Sequence, residues 1–202
     1  MFTYADLWKL AEMPDFARRM EAMCDDGSIM EWLPEAFWLD NYLHKKAFHP
    51  EGNPLEHTLC CLKIADARAF DPLSKIAVLF HDIGKAACAD GYDPKTHPYH
   101  RFYGHEMAGL PVFRCVAKRL GIPKRDSGSI AFCIRYHMRA HKFREMKVQK
   151  VLETVCSPHW EVLKKVSYAD SASRTGLFNE AELLDAFAYA EGLKRDAAPQ
   201  AF

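Results

Sequence analysis

Phe80-His81-Asp82-Ile83-Gly84-Lys85 sets an imidazole beside a carboxylate within an apolar run. One nitrogen and one oxygen donor in adjacent positions form the mixed set that borderline divalent metals accept. The dipeptide alone is common, and it gains meaning only from other donors in matching places. His57, His105, His137 and Asp170 are such donors, each on the apolar stripe of a helix-patterned stretch. An ionisable group where Leu or Ile belongs must be hydrogen-bonded, paired or metal-bound. For one residue a hydrogen-bonded core histidine is the commoner outcome. For the ordered series His57, His81-Asp82, His105, His137 and Asp170, a metal centre is the better account.

The elements that must position these donors read as helices throughout. Tyr4 to Met23 carries Leu7, Trp8, Leu10, Ala11, Phe16 and Met20 at helical period, with a break at Pro14. Met30 to Leu43 is a second such stretch, interrupted near Pro34. The turn cluster His49-Pro50-Glu51-Gly52-Asn53-Pro54 leads into a helix over 57–70 with His57, Cys60, Cys61 and Ile64 inward. Pro72 suits the first turn of the next helix. Its face Ile76, Leu79, Phe80 and Ile83 carries His81-Asp82, and Gly84 reads as its stop. Residues 87 to 104 form a long polar loop, a length that inside a compact domain marks a functional or mobile segment. His97 and His100 lie in it, as a lid or as exposed loop residues. Helices follow over 105–120, from Ser127 or Ser129 through Ile130, Cys133 and Ile134, over 148–155, from Pro158 to Asp170, and over 180–193. His137 and His141 are expected to continue the Ile130 stripe. The expected fold is all-α, with roughly seven to nine helices.

Composition narrows the class. The 202 residues are 49% hydrophobic and 27% charged, enough for one well-buried core. Twenty-seven basic residues balance 27 acidic ones, so no global field draws the chain to nucleic acid or membrane. Apolar runs fall short of a membrane span, and the N-terminus lacks a signal-peptide pattern. Seven cysteines without Cys-x-x-Cys form neither a disulfide framework nor a zinc ribbon. Cys60, Cys61, Cys115 and Cys133 read as small hydrophobes in helices. A cytoplasmic protein is expected. Gly84-Lys85 lacks the upstream glycine of a Walker loop, and no Ser-His-Asp order stands out.

These motifs resemble the HD-domain superfamily of metal-dependent phosphohydrolases. More narrowly, residues 49 to 178 are similar to the C-terminal HD domain of bacterial CCA-adding tRNA nucleotidyltransferases. The stretches that carry the resemblance are 49–58, 80–85, Tyr103-Gly104-His105, Tyr136-His137-Met138-Arg139 and 169–176. Nothing before residue 49 has the length or residues of a nucleotidyltransferase domain. The expectation is therefore a free-standing HD domain at 49–195, an N-terminal helical extension at 1–48 packed on it, and a tail at 196–202. Such a protein should not add nucleotides to tRNA.

The resemblance implies phosphatase or cyclic-phosphodiesterase chemistry. His57, His81, Asp82 and Asp170 would hold one divalent cation (Mn, Ni, Co, Mg, Fe or Zn). His105 and His137 would hold a second, with Asp82 bridging. Two metals clamp the attacking and leaving oxygens of a phosphate displacement. Lys85 is a candidate phosphate contact or a solvated lysine. His141 supports a metal ligand from behind, faces the substrate, or is packed in the core, and Arg174 reaches Asp170, the phosphate, or neither. Glu56 orients an imidazole or favours the helix start; His44, His49 and His159 read as structural. Arg135, Arg139, Lys142, Arg144, Lys147 and Lys150 face only Glu145. They would favour a phosphorylated small molecule, nucleotide or RNA end, or form a solvated face. The alternatives are a dNTP triphosphohydrolase and a non-catalytic RNA- or protein-binding module with a structural metal. The oligomeric state stays open.

Overall fold

The computed structural model describes residues 2–45, 47, 52–174 and 176–197. His49, Pro50 and Glu51 of the turn cluster, Thr175, and the tail from 198 onward lie outside the described residues. The all-α expectation holds, and no strand forms among the described residues. Two isolated bridges, Asp90 with Arg101 and Asp93 with His97, pinch the loop after residue 88. No helix of the described residues is long and apolar enough to cross a membrane.

In chain order the helices are α1 (Tyr4–Glu12), α2 (Phe16–Asp25), α3 (Pro34–Phe37), α4 (Pro54–Ala67), α5 (Pro72–Phe80) and α6 (Lys85–Cys88). They continue with α7 (His105–Leu120), α8 (Lys124–Tyr136), α9 (Val148–Val155), α10 (Trp160–Ala172) and α11 (Glu180–Ala197). Three 3-10 segments, Ser28–Glu31, Trp38–Asn41 and His137–Glu145, complete the described set. The second N-terminal stretch is therefore split into single turns around Pro34.

Helix starts follow local chemistry. Asn53 caps α4 by accepting from the Glu56 N–H at 2.8 Å, and Asp71 caps α5 by accepting from Ser74 at 3.0 Å. Proline opens both helices, where no amide donor is needed. α5 is central: it packs on α1, α4, α8 and α10. Ile76, Phe80, Phe113, Leu62 and Ile130 are fully buried in one core, with the Phe80 and Phe113 rings 5.3 Å apart. Each such side chain contributes about 1.5–3 kcal/mol by leaving water. Leu7, Phe16 and Met20 belong to the same core. Asp66 of α4 fixes that N-terminal contact, accepting from the Ala17 N–H at 2.7 Å and pairing with buried Lys75 at 2.6 Å.

Two sequence expectations change here. α5 ends at Phe80, so His81 and Asp82 stand on the turn after it. Gly84 has ordinary helical dihedrals, φ −78 and ψ −12, and is no left-handed stop. A Cβ there would lie 2.1 Å from the His105 carbonyl and 2.3 Å from the Gly109 nitrogen. Glycine is required because α7 crosses this turn backbone to backbone.

Candidate metal centre

His81, Asp82, His57, His105, His137 and Asp170 meet in one buried cluster, none more than 8% exposed. Helix ends orient the rings. His81 follows the last turn of α5, and its Nδ1–H donates to the Val78 carbonyl at 2.7 Å. His137 repeats the device at the end of α8, donating to Ile134 at 2.9 Å. Both bond a carbonyl in the last turn of the terminating helix. His105 opens α7 and donates from Nδ1 to Phe102 at 2.9 Å. Left-handed Gly104, φ 76, precedes it and turns the chain. Ser173 gives its only proton to the Asp170 carbonyl at 2.8 Å, so its oxygen accepts from His57 Nδ1 at 3.2 Å.

Each Nδ1 is thus the donor, which leaves each Nε2 as a lone pair directed inward. Those lone pairs meet electron-rich neighbours. His105 and His137 hold their Nε2 atoms 3.1 Å apart, and His57 Nε2 lies 3.0 Å from Asp170 Oδ1. Asp82 divides the cluster. Its Oδ2 lies 3.2 Å from His81 Nε2 and 3.7 Å from His57 Nε2; its Oδ1 lies 3.2 Å from His105 Nε2 and 3.6 Å from His137 Nε2. Buried His81 Nε2 and Asp170 Oδ2 make no hydrogen bond, the Asp82 contact to His81 being poorly aligned. Neutral imidazoles and carboxylates at these separations repel unless a cation lies among them. The donor set therefore fits a divalent metal. Asp82, His105 and His137 form one candidate ligand group, with donor atoms all within 4.8 Å of one another.

The electrostatics agree. Burial alone would lift the Asp82 carboxyl, but the His81 imidazole, the Lys85 ammonium and the rings of His105 and His137 around it hold it well below the carboxylate range. Asp170 is also well below that range, because the Arg174 guanidinium and neighbouring imidazoles outweigh its burial. Burial pushes the His137 imidazole down. Both carboxylates stay ionised, as a metal ligand must.

A cleft of about 930 Å³ opens onto the cluster, lined by Asp82, His105, His137 and Asp170 together with Lys85, Lys142 and Arg174. Lys85 is buried, with Nζ 2.6 Å from Asp82 Oδ2 and 3.0 Å from His44 Nε2. It is not a solvated surface lysine. Arg174 donates to Asp170 Oδ1 at 2.7 Å. His141 does not line this cleft but a separate pocket that shares Arg174 with it, 3.4 Å from Ser171 Oγ and 3.7 Å from Asp170 Oδ2. Residues after 136 wind as a 3-10 helix. Four residues there turn about 120° past a full number of turns, against about 40° in an α-helix, so His141 leaves the His137 stripe. Arg139 is not brought to the cleft. It stacks on Tyr136 at 4.1 Å and donates to Thr154 Oγ1 at 3.0 Å.

His100 lines the cleft, whereas His97 stays on the exposed loop. His159 is remote, bonded to Ser129 at 2.9 Å. Sequence reasoning missed His44, Lys45, Tyr99, Phe102 and Tyr103 as cleft residues. They sit in irregular segments with no periodicity. The one available signal was the density of aromatic residues at 99–103.

No family model matches the chain. Among curated proteins it is 34% identical over 140 residues to the multifunctional CCA protein of Halorhodospira halophila, covering 69% of this chain and 32% of that protein. It is 32% identical over 127 residues to that of Alkalilimnicola ehrlichii, covering 63% and 29%. With the Nitrosococcus oceani protein it shares 29% identity over 160 residues, covering 76% and 38%. The chain spans about a third of the length of these relatives. Over most of its own length, it is related to one part of the multifunctional CCA proteins.

Proposed function

We propose that this chain is an HD-domain, divalent-metal-dependent phosphohydrolase acting on a phosphomonoester or cyclic phosphodiester of a nucleotide or RNA terminus. The observation that carries the reading is the convergence of four imidazole lone pairs on two buried, ionised carboxylates. His57, His81 and Asp170 with Asp82 would hold one cation; His105 and His137 with Asp82 would hold a second. Bound metal would supply Lewis-acid stabilisation of the attacking and leaving oxygens.

The remaining work falls to side chains in the cleft. Lys85, fixed between Asp82 and His44, presents its ammonium to a non-bridging phosphoryl oxygen. Arg174, anchored on Asp170, offers guanidinium donors beside it. Tyr99, Phe102 and Tyr103 give the rim aromatic faces on which a base can stack, and Tyr103 is 85% exposed. Similarity to the multifunctional CCA proteins favours an RNA terminus as substrate. The HD unit is assigned to 49–195, with 1–48 as its packed extension.

The test is turnover of 2′,3′-cyclic nucleotides, nucleoside monophosphates and an aryl phosphate by protein reconstituted with each of Mn, Ni, Co, Mg, Fe and Zn. Activity abolished by Asp82→Ala is the expected result. No turnover with any metal overturns the proposal, and triphosphate release from dNTPs reassigns the reaction.

A further inference from the structure

Cys61 follows His57 by one turn of α4, the spacing that stacks two side chains on one helix face. It is fully buried, yet its sulfur does not face a purely aliphatic core. Sγ lies 3.6 Å from His57 Nε2, and one donor atom from each of His57, Cys61 and His81 lies within 4.8 Å of the others. A second observation points the same way. His81 Nε2 and Asp170 Oδ2 are buried atoms without hydrogen bonds, and both belong to the residues around His57. Cys60, its chain neighbour, is only half-buried.

We propose that Cys61 is a thiolate ligand of the cation held by His57, His81 and Asp170. Two nitrogens and one sulfur beside the carboxylates of Asp170 and Asp82 then make a donor set that favours a borderline metal such as zinc or cobalt over magnesium. Magnesium demands hard oxygen ligands in octahedral array, whereas a mixed nitrogen, sulfur and oxygen set suits zinc or cobalt. On binding, the S–H proton leaves to solvent as the sulfur–metal bond forms, with no change of oxidation state. Asp82 still links this side to the His105–His137 side. The inference rests on the proposed metal centre but concerns a residue that centre does not require.

Cobalt(II) titration of the full chain tests it, with absorbance as the readout. Wild type and Cys60→Ser should show visible d–d bands together with a near-ultraviolet thiolate-to-cobalt charge-transfer band. Cys61→Ser should keep the d–d bands and lose the charge transfer. Its zinc affinity should fall by about 10–100-fold or more, the scale on which losing even an outer partner of a metal ligand is felt. Cys61→Ala, which brings no hydroxyl into the core, gives the same readout should the serine variant misfold. Charge transfer that persists without Cys61, or is absent from wild type, overturns the thiolate ligand and leaves the metal centre standing. Absence of d–d bands in wild type overturns both.

Discussion

Lys85 Nζ lies 2.6 Å from Asp82 Oδ2, inside the protein, on a residue only 5% exposed. A spacing of three residues along one turn thus places an ammonium directly against the carboxylate at the middle of the donor cluster. The pair needs further partners to offset the cost of burying both charges. His44 provides one at 3.0 Å, and the Phe102 ring, 5.6 Å from Nζ, provides a π face. A buried ammonium this close to the candidate metal ligands would suit the phosphate of the proposed substrate.

The Lys85→Met variant should therefore lose kcat/KM by about 10–100-fold, the worth of one charged hydrogen bond. The loss should fall mainly on KM, and metal content should be unchanged. Steady-state kinetics and metal analysis check both halves; lost metal with unchanged KM would make Lys85 a structural partner of Asp82.

Coupling between the two residues is measurable without substrate. In metal-free protein, urea unfolding of Asp82→Asn, Lys85→Met and the double variant should show non-additivity of about 0.5–3 kcal/mol, as for residues sharing one ionic network. Additive effects would mean that the observed contact carries no energy.

Metal should stabilise the fold. At about a hundred times Kd, a cation bound only by the native state adds about 2.7 kcal/mol. For a chain of this size that is about 5–10 °C in Tm. The shift should reverse with chelator and vanish in His81→Ala/His137→Ala, since one histidine is removed from each side of Asp82. Calorimetry showing an equal shift in that double variant would place the metal elsewhere.

Gly84→Ala should destabilise by about 1–3 kcal/mol or more, because a methyl group is forced into closely packed backbone. The blocking atoms are the His105 carbonyl and the Gly109 nitrogen, at 2.1 Å and 2.3 Å, and neither can swing aside. Gly109→Ala should be milder, since its nearest obstacle is the Ile134 Cγ2 at 2.9 Å. Because α7 carries His105, Gly84→Ala should also lose metal from the His105–His137 side first. Metal stoichiometry and urea melts separate the two effects.

How far the sequence revealed this site depends on periodicity. His57, His105 and Asp170 stood on apolar stripes of regular helices, so their burial was legible, and Pro72 marked where α5 begins, whereas α4 runs over Pro54–Ala67 and not over 57–70. Lys85 was legible as a candidate phosphate contact from its place one turn past His81, but its burial, His44 and the 99–103 rim were not, because turns and irregular segments have no repeat from which to read facing. The change from α to 3-10 after Tyr136 broke the predicted His137–His141 stripe for the same reason. Gly84 was misread because a helix stop and a close backbone crossing both select glycine. Only the position of α7 distinguishes them.

Asp71 offers a pH test away from the metal ligands. Its carboxylate accepts from Ser74 N–H at 3.0 Å, Ser74 Oγ at 2.7 Å and Lys165 Nζ at 2.5 Å, tying α5 to α10. Partial burial would raise its pKa, but the Lys165 and Ser74 hydrogen bonds prevail and lower it. A carboxyl depressed in the folded state contributes stability that is present above its unfolded pKa of about 3.9 and lost as pH falls through the folded value. Asp71→Ala should cost about 1 kcal/mol near neutrality, the usual loss for a helix cap. The lysine pair adds little more, since both groups are partly exposed and screened. The gap in stability between wild type and variant should hold steady from pH 8 to about 5 and narrow below about 4. A gap that widens in acid, measured by urea midpoints, would show that the neutral carboxyl is the better cap and would reverse the assignment.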